Sequence, residues 1–249
     1  MTAIYILFII VTIVTISFVY PGWRDKRILK RPFPTQWQAT VHRRLPFLQK
    51  LSEPEQKQLQ DMIKLFVGKK NFYGCGGLEI NDDIRVTIAA EACLLLLNRN
   101  TGVYPTMQHI LVYPHAFKVE RQHYNPDGTV SQVKSGLLGE SWDTSKVILS
   151  WDDVEHGVVN FNDGHNVVLH EFSHQLDSES GSANGAPLLK KNSYRLWAKV
   201  LSKEFKALVK ASEGHDKAVM DYYGATNPAE FFAVATEAFF EKPQQMSNK

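Results

Sequence analysis

The stretch Asn166-Val167-Val168-Leu169-His170-Glu171-Phe172-Ser173-His174-Gln175-Leu176 decides how this chain is read. Its apolar residues Val167, Val168, Leu169, Phe172 and Leu176 recur at helical rather than alternating spacing, so the segment is a helix whose broad apolar face must be covered by a folded body. On that helix His170 and His174 stand one turn apart on the same side, and both can turn an imidazole nitrogen toward one metal ion. Glu171, beside the first histidine, is placed to take a proton from a water at the ion without ligating the ion itself. The plain alternative is a solvent-facing helix with two ordinary histidines, and the apolar surroundings argue against it.

Two histidines leave an open zinc site one protein ligand short. A third histidine six residues after the second, with a glycine between, is absent: those positions hold Ser180 and Asp177. The third ligand therefore lies elsewhere, among the acids and His215 that follow between Asp177 and Glu241. Glu230 and Glu237 stand out because they sit in Pro228-Ala229-Glu230-Phe231-Phe232-Ala233-Val234-Ala235-Thr236-Glu237-Ala238-Phe239-Phe240, where an unpartnered buried carboxylate would be costly and a metal removes the cost. Asn227 and Pro228 also place Glu230 at the third helical position, an ordinary capping-box role. Spacing alone gives Glu230 only a slight preference over Glu237.

Working outward, Ser52-Glu53-Pro54-Glu55 has the form of a capping box and introduces a helix with Leu59, Met62, Ile63, Phe66 and Val67 on one side. Asn81 caps a second helix through Asn98, apolar on most faces. Short apolar runs at Ile110 to Tyr113 and Val147 to Trp151 read as strands, with an Asn125-Pro126-Asp127-Gly128 turn between them. Helical spacing resumes around 165–178, 193–211 and 228–241. A small sheet on a helical body is an α+β architecture. The strand ahead of the histidine helix is a candidate edge for adding a peptide as an extra strand. His165 and Asp177, at either end of that helix, are candidates to orient ligands, with a helix-end or surface role as the alternative. Gly74-Cys75-Gly76-Gly77 lacks the Lys-Ser/Thr ending of a phosphate loop and is a tight turn.

The charge balance of 28 Lys+Arg against 26 Asp+Glu in 249 residues conceals a division. Residues 1–22 carry no charged side chain, and 23–50 carry 8 basic residues against Asp25 alone, leaving a mildly acidic body that disfavours nucleic-acid binding. The first twenty residues, MTAIYILFIIVTIVTISFVY, are long enough for a helix spanning the roughly 30 Å hydrocarbon core. A cleaved signal peptide would want a basic start and a small-residue cleavage site, and this segment offers Ser17-Phe18-Val19-Tyr20. Arg24, Lys26, Arg27, Lys30 and Arg31 follow at once, so the positive-inside rule puts the remainder in the cytoplasm, with anionic lipid as the partner of the basic run. Cys75 and Cys93 are too few for a disulfide framework and suit a reducing compartment.

These residues together resemble the Mlc titration factor family of zinc peptidases, whose metal site is similar to that of the anthrax lethal factor catalytic domain. The likeness runs from about Phe72 to Pro243 and rests on Phe72 to Ile80, Ala89 to Leu97, Gly139-Glu140-Ser141-Trp142, Val147 to Val154, Asp163 to Asp177 and Tyr223 to Phe240. It implies a zincin-like α+β metallopeptidase domain with a small sheet and an active-site helix. It also implies Glu230 as the third zinc ligand beside His170 and His174, and Tyr223 facing the metal, with Tyr222 as the fallback one residue away. The expected organisation is a transmembrane anchor at 1–22, a basic juxtamembrane linker at 23–50 and a zinc metallopeptidase domain at 51–249. The expected activity is peptide-bond hydrolysis, with zinc as the Lewis acid, Glu171 as general base and Tyr223 as hydrogen-bond donor to the oxyanion. The substrate is a peptide or protein on the cytoplasmic side of the inner or plasma membrane. A membrane-tethered protein that sequesters a regulator, with structural zinc, is the competing expectation, and it has no need of Glu171. The regulator-binding partner of soluble family members is not carried over, because the membrane segment and the early end after the third-ligand helix depart from them.

Overall fold

Local capping chemistry sets the first long helices. The computed structural model describes residues 5–6, 22–99, 101–116, 118–124, 130–136 and 145–248. Thr35–Arg44 forms α1, and Glu53–Lys69 forms α2, where the Glu55 carboxylate accepts hydrogen bonds from the backbone N–H and hydroxyl of Ser52 at 3.0 and 2.7 Å. Asn81 Oδ1 accepts from Ile84 N at the start of α3 (Asp82–Leu94). That helix ends before Asn98, which takes a left-handed φ of 61° in the following turn. Ten of its residues are buried, Glu91 among them.

The sheet is parallel, in the order β1 (Asn71–Gly74), β2 (His109–Tyr113), β5 (Lys146–Ser150), with Ile110 opposite Phe72 on one side and Val147 on the other. Parallel neighbours need a crossover, and α3 supplies the one between β1 and β2. Strands β3 (Lys118–Tyr124) and β4 (Val130–Gly136) pair antiparallel as a separate hairpin that the apolar-run reading missed. The expected turn at Asn125–Gly128, the 139–142 stretch and all but residues 5, 6 and 22 of the expected membrane anchor lie outside the described residues. Among the described residues no helix is long and apolar enough to cross a membrane.

Strand β5 stops at Ser150, one residue short of expectation, because Ser150 Oγ caps the amide of Asp153 and Trp151 starts α4 (Trp151–Val159). Next comes α5 (Val167–Ser178), which carries the histidines. Its Val168, Leu169, Phe172 and Leu176 are buried, and the Phe172 ring lies 4.8 Å from Tyr104 and 5.6 Å from Phe66. Burying one such side chain stabilises the fold by about 1.5–3 kcal/mol, so the inner face of α5 is pinned while its other side is free for chemistry. Helix α6 (Tyr194–Gly214) and the short 3₁₀ turn Tyr222–Ala225 pack on α7 (Pro228–Glu241), and α8 (Pro243–Ser247) follows. α7 in turn packs against α5, which brings the two chemically loaded helices side by side.

Candidate metal centre

Asn166 caps α5 by accepting from Leu169 N at 2.9 Å, and Asn227 caps α7 by accepting from the amides of Ala229 and Glu230, both at 3.0 Å. With both helix starts held in place, His170, His174 and Glu230 converge. His170 Nε2 lies 3.2 Å from His174 Nε2 and 3.1 Å from Glu230 Oε2, and His174 Nε2 lies 3.4 Å from the same oxygen. Among the described residues this is the group of ligand types close enough to share one ion. Tetrahedral bonds of about 2.0–2.1 Å separate ligand atoms by about 3.3 Å, which these edges match. Glu230 Oε2 is also buried within ion-pair distance of both imidazoles yet has no hydrogen bond of its own. A cation between the three donors satisfies that atom, so the residues present fit a zinc ion.

Glu237, the rival third ligand, sits behind the group instead. Its Oε1 accepts from His170 Nδ1 at 2.8 Å and its Oε2 from the Asn166 amide at 2.7 Å. This bond fixes the imidazole with Nδ1 as donor and leaves Nε2 facing His174 and Glu230. Glu230 does not complete a capping box, because its carboxylate is spent on the histidines. Asp177, fully buried, accepts from the amides of Gly185 and Ala186, both at 2.7 Å, so it ties down the loop after α5 rather than orienting a ligand. His165 stands 3.9 Å from Asp221 at the cavity rim.

Glu171 is 1% exposed, and neither of its carboxylate oxygens has a hydrogen-bond partner. Burial pushes its pKa up to about 7 against the pull of His170 and His174. For His170 burial works downward, but the adjacent carboxylate of Glu230 and the bond to Glu237 outweigh it and raise the imidazole to about 10. Burial would raise Glu230, and the two imidazoles outweigh that and bring it down to about 2. A cavity of about 370 Å³ opens beside His170 and Glu171, lined also by Tyr223, Val234, Asp153 and Asp221. The Tyr223 ring centre is 5.9 Å from that of His170, whereas the Tyr222 hydroxyl bonds back to the carbonyl of Asp216. The register ambiguity thus ends with Tyr223 on the cavity and Tyr222 turned away.

One member of this neighbourhood escaped the sequence reading. Glu91 of α3 accepts from Asn166 Nδ2 at 2.7 Å. The available signal was an acid in the middle of an otherwise apolar helix, since a fully buried carboxylate is rare unless it has a partner.

Comparison with known proteins gives the family of the chain. The model of the glucose-regulated metallo-peptidase M90 family matches residues 20–249. The uncharacterized protein slr2042 of Synechocystis is 42% identical over 249 residues, which cover 98% of this chain and 90% of that protein. Mlc titration factor A of Pectobacterium atrosepticum is 32% identical over 217 residues, covering 86% of this chain and 80% of its own length. The protein of that name from Serratia proteamaculans is 31% identical over 218 residues, covering 86% and 81%.

Proposed function

The chain belongs to the glucose-regulated metallo-peptidase M90 family, and from that premise we propose that it is a membrane-anchored zinc peptidase whose centre is His170, His174 and Glu230. The observation that carries the reading is Glu171, a buried carboxylate without a partner, lining a cavity beside three donors spaced for one ion. Held by His170, His174 and Glu230, a zinc ion would supply Lewis acidity toward a peptide carbonyl and a water. Glu171, buried beside His170 and without a hydrogen-bond partner of its own, is placed to accept the water's proton and to return it to the leaving amine. Tyr223 donates a hydrogen bond to the carbonyl oxygen as negative charge develops on it. Glu237 holds the Nδ1 hydrogen of His170 throughout. Strand β5, at the sheet edge among the described residues, offers a backbone ladder along which a peptide can extend.

The anchor rests on the uncharged residues 1–20 and the five basic residues from Arg24 to Arg31, which orient the peptidase domain toward the cytoplasm. The substrate is then a cytoplasmic or membrane-proximal peptide or protein.

Two variants test the activity. Glu171→Gln should keep about one zinc per chain and lose peptide hydrolysis by about 10²–10⁴-fold, while His174→Ala should lose the zinc. Undiminished turnover in the first, or full zinc occupancy in the second, refutes the assignment. A second reading, a tethered protein that sequesters a regulator around a structural metal, draws on the titration-factor name of the relatives. It predicts that Glu171→Gln leaves function intact, so the same variant separates the two.

A further inference from the structure

Behind the three ligand-type side chains runs a buried polar chain that joins helices distant in sequence. The Asn166 amide group donates through Nδ2 to Glu91 Oε1 at 2.7 Å, and its Oδ1 caps Leu169 N. Its backbone N–H donates to Glu237 Oε2, and Glu237 Oε1 accepts from His170 Nδ1. Glu91 is 0% exposed and Asn166 1% exposed, so water does not substitute for either partner. One turn beyond Glu237, Glu241 accepts from Gly164 N at 2.7 Å, which clamps the 164–166 segment onto α7 from a second point. Helix α4 closes over the same amide: a Cβ on Gly157 would stand 3.1 Å from Asn166 Nδ2. The side chain of Asn166 is therefore held in one orientation, and that orientation sets where α5 begins relative to α7.

The two histidines ride on α5 and Glu230 rides on α7. A shift of a few tenths of an ångström between these helices opens the 3.1–3.4 Å triangle. We infer that Glu91 and Asn166 are positioning residues for the metal centre. They act through the hydrogen bonds Glu91–Asn166 and Asn166–Glu237, which fix the register of the two ligand-bearing helices and the ring orientation of His170. Neither residue touches the three ligand-type atoms. Outer partners of this kind typically contribute 10–100-fold to metal affinity.

The inference rests on the metal site proposed above, and its test reads zinc affinity rather than turnover. The full chain and its variants are titrated with zinc against a chromophoric chelator, with circular dichroism of each zinc-free protein as the control for folding. At pH 9, where Glu91 is ionised, Asn166→Asp keeps the cap on Leu169 but cannot donate to Glu91, and it sets two carboxylates against each other, so zinc binding should weaken by about 10–100-fold. Adding Glu91→Gln to that variant reverses the direction of the bond, with the new amide donating to the new carboxylate, and should restore affinity to within about threefold. Glu91→Gln alone still accepts from Asn166 and should bind nearly as well as the wild type. Glu91→Leu removes the acceptor and should bind about tenfold more weakly. A purely structural role predicts that the double variant is no better than Asn166→Asp. Folded Asn166→Asp and Glu91→Leu proteins with wild-type zinc affinity, or a double variant without recovery, overturn the inference. A wild type that binds no zinc overturns the metal site along with it.

Discussion

At His170 the chemistry of one side chain governs two measurable quantities. In the metal-free protein the His170 imidazolium, with Nδ1 on Glu237 and Nε2 beside Glu230, keeps both ring protons up to about pH 10, and zinc has to displace the one on Nε2. Zinc uptake near neutral pH should therefore release about one proton, and affinity should weaken by up to about tenfold per unit between about pH 9 and 7. Chelator competition at several pH values, with proton release followed in weakly buffered solution, checks both. An affinity independent of pH would show that the imidazole is already neutral. At Tyr223 the expectation is narrower. Tyr223→Phe should keep the zinc and lose roughly a hundredfold in kcat, the ordinary contribution of one donor to a developing oxyanion, whereas Tyr222→Phe should change little. Equal losses from both would leave the oxyanion role unassigned.

At the scale of elements, two asparagine caps look alike in sequence and differ in consequence. Asn81 accepts from Ile84 N at the start of α3, and Asn227 accepts from Ala229 N and Glu230 N at the start of α7. Replacing either by alanine should cost about 1 kcal/mol of stability. Only Asn227→Ala should also loosen zinc, by several-fold, since that cap secures the backbone of Glu230 itself. Thermal denaturation of the zinc-free proteins together with chelator competition separates the two effects. Equal zinc affinity in both variants would mean that packing of α7 on α5 positions Glu230 without help from its cap.

For the whole molecule, two kinds of buried or segregated charge matter. Burial pushes Glu91 from an ordinary 4.5 up to about 8, opposed by its bond to Asn166. The folded state thus binds more protons than the unfolded chain between these values. The contribution of Glu91 is fully present below about pH 4.5 and is lost as pH rises through about 8, with a slope of at most about 1.4 kcal/mol per unit. Urea unfolding of the zinc-free protein from pH 5 to 8 should show stability falling, and Glu91→Gln should flatten the decline. A wild type that gains stability over that range would contradict the sign. The segregated charge is the basic run that follows twenty uncharged residues, and it bears on topology. A reporter active only outside the cytoplasm, fused after the last residue, should stay silent in intact cells. Strong activity would reverse the orientation and with it the pool of substrates.

Residues whose partners are near in the chain were legible from the amino-acid order. His170, Glu171 and His174 lie on one turn of one helix, so their relation follows from 3.6-residue geometry alone, and the caps Ser52, Asn81 and Asn227 act within three residues of themselves. Carboxylates sixty or more residues away were not legible in that way. Glu230 and Glu237 occupy the same apolar helix two turns apart, and nothing in local periodicity says which meets the Nε2 atoms and which the Nδ1 of His170. The packing of α7 against α5 decides it, as it decides that Tyr223 rather than Tyr222 lines the cavity. Glu91 was the least visible, because its partner Asn166 is 75 residues on. A spacing pattern reports only which face a residue shares with its own helix, and the partner of a buried charge is chosen by how helices pack.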